Sequence, residues 1–277
     1  MKVTIFTANQ PRHLALIKEI AKIADKVYVV QECKTVLPGY RKDFYSNSDI
    51  MKEYFSKVME AEKEIFGELD FLPLNCHVMG LNCGDVSYLP LDIFGEALNS
   101  DYYIVFGASY IKGALIDFLI EHRALNIHMG VSPYFRGCSC NFWAIYDGYP
   151  EMVGATIHLL SKGLDSGDIL YHAFPGGITD DPFKLGMLAV YAAIKSLCVK
   201  LCDSSIFSMN LIKQNTGEEI RYARNNDFTD EIAQEYLSNL PSKSWLKQKI
   251  ENRNLKNFIN PVVWDEEDEI STLEALR

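Results

Sequence analysis

Three polar side chains stand out in the stretch from Ala124 to Ile169: Asn126, His128 and Asp165. Asn126 and His128 lie at i and i+2 of the apolar run ALNIH, which reads as a strand. A strand repeats every two residues, so both side chains fall on one face with Cα atoms roughly 6.5 Å apart. The run breaks into a Pro- and Gly-containing loop, MGVSPYFRG, which puts the pair at the carboxyl end of the strand. Open α/β sheets gather their chemistry at that end. An amide, an imidazole and a carboxylate are the parts of an acyl-transfer site: the amide donates to a developing oxyanion, the imidazole moves protons, and the carboxylate orients or charges the imidazole. Each fragment alone has an ordinary structural explanation, a hydrogen-bonded core histidine for N-x-H and a turn for the Asp-Ser-Gly-Asp stretch.

The elements that must position these groups follow from periodicity. KVTIF at 2–6 reads as a first strand, TANQPRH as a loop, and LALIKEIAKIA as a helix with apolar residues at 14, 16, 17, 20, 21 and 23. Val27–Val30 reads as a second strand, and this β-loop-α-β opening fits a parallel doubly wound sheet. No G-x-G-x-x-G is present, so the dinucleotide fingerprint is missing. In the first loop, Asn9, Gln10, Arg12 and His13 stand beside a helix N-terminus, which favours anions such as a phosphate or nucleotide diphosphate; the alternative is an ordinary capped surface loop. Residues 34–47 read as loop. Ser48 or Asp49 is expected to cap a helix that Gly67 ends, with an apolar stripe of Tyr54, Phe55, Val58, Met59, Ala61 and Ile65. Cys76–Met79, Tyr102–Phe106, Val153–Leu159 and Ile169–Phe174 are expected strands, and Leu185–Leu201 a helix. Tyr102–Phe106 leads directly into Gly107-Ala108-Ser109-Tyr110, where glycine permits close backbone approach to a flat ligand. Beyond about residue 203, Met209–Lys213 and Glu219–Ala223 flank a polar QNTG turn and predict a hairpin. Thr229 is the expected N-cap of a helix near Asp230–Leu240, stopped by Pro241.

Asn126-Ile127-His128, Phe135-Arg136-Gly137 and Leu164-Asp165-Ser166-Gly167, in this order and spacing, resemble the motifs of the folate-dependent formyltransferases. That group includes glycinamide ribonucleotide, methionyl-tRNA and sugar N-formyltransferases. His158, in GATIHLL seven residues before Asp165, fits the same ordering. VFGASYIKG at 105–113 is a second match. The resemblance covers residues 1 to about 200 as a fold, with the specific motifs confined to 105–170. It implies an α/β, Rossmann-like, mostly parallel doubly wound sheet as a catalytic domain over 1–202, with a small α+β appendage over 203–277. It implies N10-formyltetrahydrofolate as co-substrate, held by Gly107, Ser109, Tyr110, Ile111 and Lys112 largely through backbone groups, with Asp165 beside it. Asn126, His128 and Asp165 would be catalytic, and Arg136 would join the first loop in binding the acceptor. Whether His128 acts as a base or as a charged donor stays open. Two departures alter the pocket wall: Met129-Gly130 replaces the relatives' Pro-Ser, and Cys138-Ser139-Cys140-Asn141-Phe142-Trp143 replaces a run richer in Ala and Pro. SPYFRGCSCNFWAIYDG is most similar to the sugar-modifying members, which implies a nucleotide-linked amino sugar as acceptor. Glycinamide ribonucleotide transfer, formyltetrahydrofolate hydrolysis and a folate-binding scaffold are the alternatives.

Composition bounds these readings. With 277 residues, 48% apolar and 23% charged, the chain can bury a large core. A net charge of −10 argues against a nucleic-acid partner, whose phosphates need a basic footprint. The run Trp264–Glu269 is acidic where a tRNA-binding tail would be basic. Seven cysteines without framework spacing read as reduced thiols in the cytoplasm. Cys138-x-Cys140 lacks a second pair, so no metal is expected. No signal peptide and no apolar stretch approaching the ~20 residues of a membrane span is expected. The C-terminal appendage makes a homodimer the expected assembly.

Overall fold

The computed structural model describes residues 1–33, 48–68, 70–177 and 179–264. The loop expected at 34–47 and the acidic run after Trp264 lie outside the described residues.

Strand β1 (Lys2–Ala8) opens the chain, followed by helix α1 (Pro11–Ile23) and strand β2 (Lys26–Cys33). The helix starts at Pro11, three residues ahead of the apolar stripe, because proline at N1 already has a helical φ and lacks only an N–H that would be unpaired there. Helix α2 (Asp49–Phe66) is capped as its sequence dictates: the Ser48 side chain accepts from the Met51 N–H, and Gly67 ends it at φ 75°. Strand β3 (Cys76–Asn82), strand β4 (Tyr102–Phe106), helix α3 (Gly113–Glu121) and strand β5 (Leu125–His128) complete the first half. The second half holds β6 (Phe135–Gly137), α4 (Cys140–Tyr146), β7 (Ala155–Leu159), β8 (Ile169–Pro175), α5 (Pro182–Cys202), β9 (Arg221–Ala223), α6 (Asp230–Ser238), α7 (Lys243–Glu251) and β10 (Val262–Trp264).

The main sheet has eight strands in the order β10-β8-β7-β5-β4-β1-β2-β3. Strands β1 to β5 pair in parallel, β7 runs antiparallel to both neighbours, and β10 pairs in parallel with β8. Helices cover both faces. On one, Val3, Ile5 and Ile104 pack with Leu16, Ile17 and Ile20 of α1 and with Ala193 and Leu197 of α5. On the other, Phe6, Val30 and Val105 pack with Leu115, Ile116 and Leu119 of α3. Each of the Val, Leu, Ile and Phe side chains among these contributes about 1.5–3 kcal/mol by leaving water. This is the expected mostly parallel, doubly wound α/β fold. Its chain order reverses about β1, so β2 and β4 flank that strand and the carboxyl ends of β1, β4 and β5 share one edge.

Three expectations need correction. No hairpin forms between 209–213 and 219–223. Ile212 instead bridges to Ile169, a 3-10 turn occupies Thr216–Glu218, and β9 pairs in parallel with β6. Two short segments with exposed ladders on the main body as partners gain more by docking there than by pairing with each other. The strand expected from Val153 begins at Ala155, because Val153 closes the 3-10 turn Pro150–Met152. Finally, α5 runs 21 residues and is long and apolar enough to cross a membrane by length and composition. It is a core helix here, with Leu185, Ala189, Ala193, Leu197 and Leu201 buried and Lys195 paired with Glu19 of α1 at 3.0 Å. Beyond Cys202, Phe228, Ala233, Tyr236, Leu246 and Ile250 share one apolar core with Tyr54 of α2 and Phe142 and Trp143 of α4.

Candidate active site

Asn126 and His128 project from β5 at its carboxyl end, and the loop between β7 and β8 brings Asp165 to both. His128 Nδ1 is 3.3 Å from Asp165 Oδ2, and Asn126 Nδ2 is 3.4 Å from Asp165 Oδ1. The three residues picked out by type and spacing therefore converge. Asp165 itself has φ 46°, the left-handed region, so its loop turns tightly at that point.

The surroundings of His128 fix its charge. The ring is 6% exposed. Nε2 lies 3.3 Å from the carbonyl oxygen of Phe135, at the start of β6, and 3.5 Å from the thiol of Cys140, at the start of α4. A carbonyl and a carboxylate can only accept, so a proton on each ring nitrogen satisfies both sides. Burial opposes that charge, but Asp165 and Cys140 outweigh it and hold the imidazole well above its ordinary value. Asp165 is the counterpart: burial pushes its carboxyl up, while His128 and Arg136 pull it further down, below its usual range.

His158, on β7, is a site residue that the three-residue reading left out. Its Nε2 sits 2.9 Å from the Asn126 amide nitrogen, and its Nδ1 sits 2.8 Å from the Leu159 carbonyl. Burial brings it down to about 4 against the pull of Asp165, so it is a neutral ring. Its 4.0 Å approach to Asp165 is accordingly not an ion pair. Its signal in the sequence was its place in GATIHLL, seven residues before Asp165, within the family resemblance.

The segment after β4 stands on the adjoining strand end. Gly107 has φ 69°, and a Cβ there would lie 2.3 Å from His13 Nε2, so a side chain is excluded by its neighbour as well as by its backbone. His13 is 2% exposed and packs on Phe106 with ring centroids 4.9 Å apart. Ile111 is buried, while Tyr110 is 51% exposed and its hydroxyl donates to the Lys162 carbonyl, three residues before Asp165. Ser109, Tyr110 and Lys112 line one side of a cavity of about 250 Å³.

The first loop is arranged differently from a free anion site. Asn9 and Gln10 are each 7% exposed, and Gln10 occupies the N-cap position of α1. The Arg12 guanidinium is 2.9 Å from Glu62, a carboxylate buried to 4% exposure, and also donates to the Gln10 side chain at 2.8 Å. Much of its charge is spent inside the protein. Arg136 likewise donates to Glu219 at 3.0 Å and to the Leu164 carbonyl at 3.2 Å, bracing the Asp165 loop. Gln214, unmarked by its sequence, donates to the carbonyls of Asp165 and Gly167, both at 2.8 Å. A second cavity of about 540 Å³, beside Lys184, Tyr191, Lys243 and Trp264, contains none of these residues. Among the described residues, no cluster of three or more His, Cys, Asp or Glu side chains is placed to hold a metal ion.

Residues 94–181, which carry β4 to β8 and the whole convergent set, match the formyl transferase family. A methionyl-tRNA formyltransferase from Anaeromyxobacter dehalogenans is 38% identical over 75 residues, 27% of this chain and 24% of that protein. The chain thus spans about a quarter of the length of the curated relatives it matches. Among solved structures, a 4-N formyltransferase from Francisella tularensis aligns with TM-score 0.51 at 19% identity, over 82% of this chain and 77% of that one. A sugar N-formyltransferase from Shewanella aligns with TM-score 0.50 at 18% identity, over 82% and 78%. Residues 94–181 are thus similar to the formyl transferase family, and the chain has the fold of these solved formyltransferases.

Proposed function

We propose that this chain transfers a formyl group from N10-formyltetrahydrofolate to the primary amine of a nucleotide-linked amino sugar. The observation that carries the chemistry is the convergence of Asn126 and His128 on Asp165 at the carboxyl edge of the sheet. When the amine attacks the formyl carbon, the formyl oxygen gathers negative charge. Asn126 supplies an amide donor by giving up its long 3.4 Å contact with Asp165, and His128, protonated at rest, supplies a charged one by exchanging its 3.3 Å contact with the Phe135 carbonyl; removing one such donor typically costs ~10²–10³ in rate. Asp165 keeps His128 charged and relays the proton that the amine sheds, through water, to N10 as the bond from the formyl carbon to N10 breaks and tetrahydrofolate leaves. The reaction class follows from the formyl transferase match over 94–181, and the co-substrate from the family resemblance of 105–113.

The acceptor rests on two further supports. One support is a fold relative, the Shewanella sugar N-formyltransferase, which overlaps 82% of this chain. Transfer to methionyl-tRNA is the competing reading, since the sequence relatives carry that activity in their names. The net charge of −10 opposes it, because tRNA binding draws on basic surface.

Release of tetrahydrofolate from N10-formyltetrahydrofolate, followed spectroscopically against a panel of dTDP-, UDP- and GDP-linked amino sugars, glycinamide ribonucleotide and charged methionyl-tRNA, tests this reading. Release that depends on a nucleotide-sugar is the expected result. Dependence on methionyl-tRNA would overturn the acceptor, and release without an acceptor would make the chain a hydrolase.

A further inference from the structure

Glu32 sits at the carboxyl end of β2, apart from the strands that carry Asn126, His128 and His158, and it is 1% exposed. Its carboxylate accepts hydrogen bonds from two different loops. Oε1 accepts from the Gly84 N–H at 2.6 Å and from the Ser109 hydroxyl at 2.8 Å, and Oε2 accepts from the Ser109 N–H at 2.5 Å. A buried carboxylate is costly unless its oxygens are satisfied in this way, and hydrogen bonds to a charged acceptor are short and strong.

The two loops tied by Glu32 are the two walls of the 250 Å³ cavity. One wall is Cys83, Gly84, Asp85, Ser87 and Tyr88; the other is Ser109, Tyr110 and Lys112. Higher up, Ser87 repeats the link: its hydroxyl accepts from the Lys112 N–H at 2.9 Å and donates to the Tyr110 carbonyl at 3.2 Å. Glu32 is the deep fastening of a cleft whose rim is fastened by Ser87.

We propose that Glu32 is a positioning residue for the folate co-substrate: by holding Gly84 and Ser109 on one carboxylate it sets the spacing of the cleft walls, and so the fit of a flat ring between them. This rests on the formyl-transfer reading above. Glu32 itself is 1% exposed and does not line the cavity. Its loss should therefore act on folate binding and leave the acceptor site and the charge of His128 unchanged.

Glutamine cannot replace it. One carboxylate oxygen becomes an NH₂ group, which would face a backbone N–H donor instead of accepting from it. The test is E32Q, read by calorimetric binding of 5-formyltetrahydrofolate and by separate KM values for the two substrates. Folate affinity should fall at least about tenfold, the fold-change of one charge-assisted hydrogen bond, with acceptor KM within about twofold of wild type. A wild type that binds folate and an E32Q that binds it equally well would overturn this inference alone; a wild type that binds none would overturn the formyl-transfer reading as well. Equal rises in both KM values would also overturn it, since general loosening would do that. Should E32Q fail to fold, S109A removes only the hydroxyl link. A folate-selective loss of about threefold is then expected, and an unchanged folate affinity overturns the proposal.

Discussion

Asn126 and His158 are directly opposed on β5 and β7, and the Asn126 amide donates to His158 Nε2 across 2.9 Å. The Leu159 carbonyl can only accept, so it takes the Nδ1 proton and leaves Nε2 as a lone pair for Asn126. Two residues along β5, His128 has an acceptor on each ring nitrogen and is charged. Two histidines on neighbouring strands thus hold opposite protonation states. The difference lies in their partners: His158 receives a donor, whereas His128 receives a carboxylate and a carbonyl. A neutral ring can orient the amide without competing for the negative charge that His128 and Asn126 are placed to meet.

This arrangement predicts a stability loss on mild acidification. Burial holds both His158 and His172, a fully buried ring on β8, at about 4 in the fold, against an ordinary value of 6.5. Between those values the unfolded chain binds more protons, so stability is complete above pH 6.5 and falls as pH drops toward 4. Each ring accounts for on the order of 3 kcal/mol over that span, at about 1.4 kcal/mol per pH unit. Denaturant unfolding at pH 7, 6, 5 and 4.5 measures the slope. H158Q, which keeps an acceptor for Asn126, should remove about half of it; an unchanged slope would show that His158 titrates normally.

The charge of His128 gives an alkaline limit instead. A donor whose value is raised above the ordinary one works at neutral pH and fails only as pH rises through the raised value, so the turnover profile should fall on its alkaline side. D165N removes the carboxylate that opposes the burial cost, which lets the imidazole fall back toward neutrality. The alkaline limb should then move to lower pH by at least one unit, with a rate loss of about 10²–10³ at pH 7, comparable to deletion of one oxyanion donor. H128N, which keeps a neutral amide in place of the ring, should lose about 10²–10⁴ at all pH values. A D165N limb that stays in place would mean that Asp165 does not set the charge of His128.

Much of the site was legible because it is local. Asn126 and His128 share a strand, and a two-residue period is readable from any apolar run. Asp165, 39 residues from Asn126, carries only a turn signal of its own and is read as a site residue through the family resemblance of Leu164-Asp165-Ser166-Gly167. Groups that reach the site across sequence distance were not legible. Glu32 is 77 residues from Ser109, and Gln214 is 49 from Asp165. Nothing in QNTG distinguishes a hairpin turn from a segment that docks on another loop, and so the hairpin was expected where β9 instead pairs with β6. Arg12 carries the same lesson. A basic residue at a helix start reads as an anion site, until Glu62 of α2 is found beside it.

Gln214 ties the segment after α5 to the chemistry. Its amide donates twice to backbone carbonyls on either side of the turn that holds Asp165. Q214A should leave both loops folded yet let the carboxylate drift, and a misplacement of about 1 Å can cost on the order of a hundredfold in rate. We expect kcat to fall at least about tenfold, half or more of that ceiling on a free-energy scale, while folate affinity changes little. A Q214A enzyme with wild-type kcat would show that Arg136 alone holds the loop.

Gly130 and Cys140 are matched to each other and to His128. A Cβ at residue 130 would lie 2.4 Å from the Cys140 Cβ and 2.7 Å from His128 Nε2. Real side chains do not approach so closely, so G130A must push either α4 or the imidazole aside, at a cost of about 1–3 kcal/mol for overpacking. The ring is the more mobile of the two, which predicts lost turnover beyond the lost stability. Removing the Cys140 side chain in C140G opens the space, so the double variant should be less destabilised than the sum of the singles, with a coupling of about 0.5–3 kcal/mol. Additive unfolding energies from denaturant titration would show that residues 130 and 140 do not compete for the same space. Turnover regained in the double variant would separate the packing role of Cys140 from any direct need for its thiol beside His128.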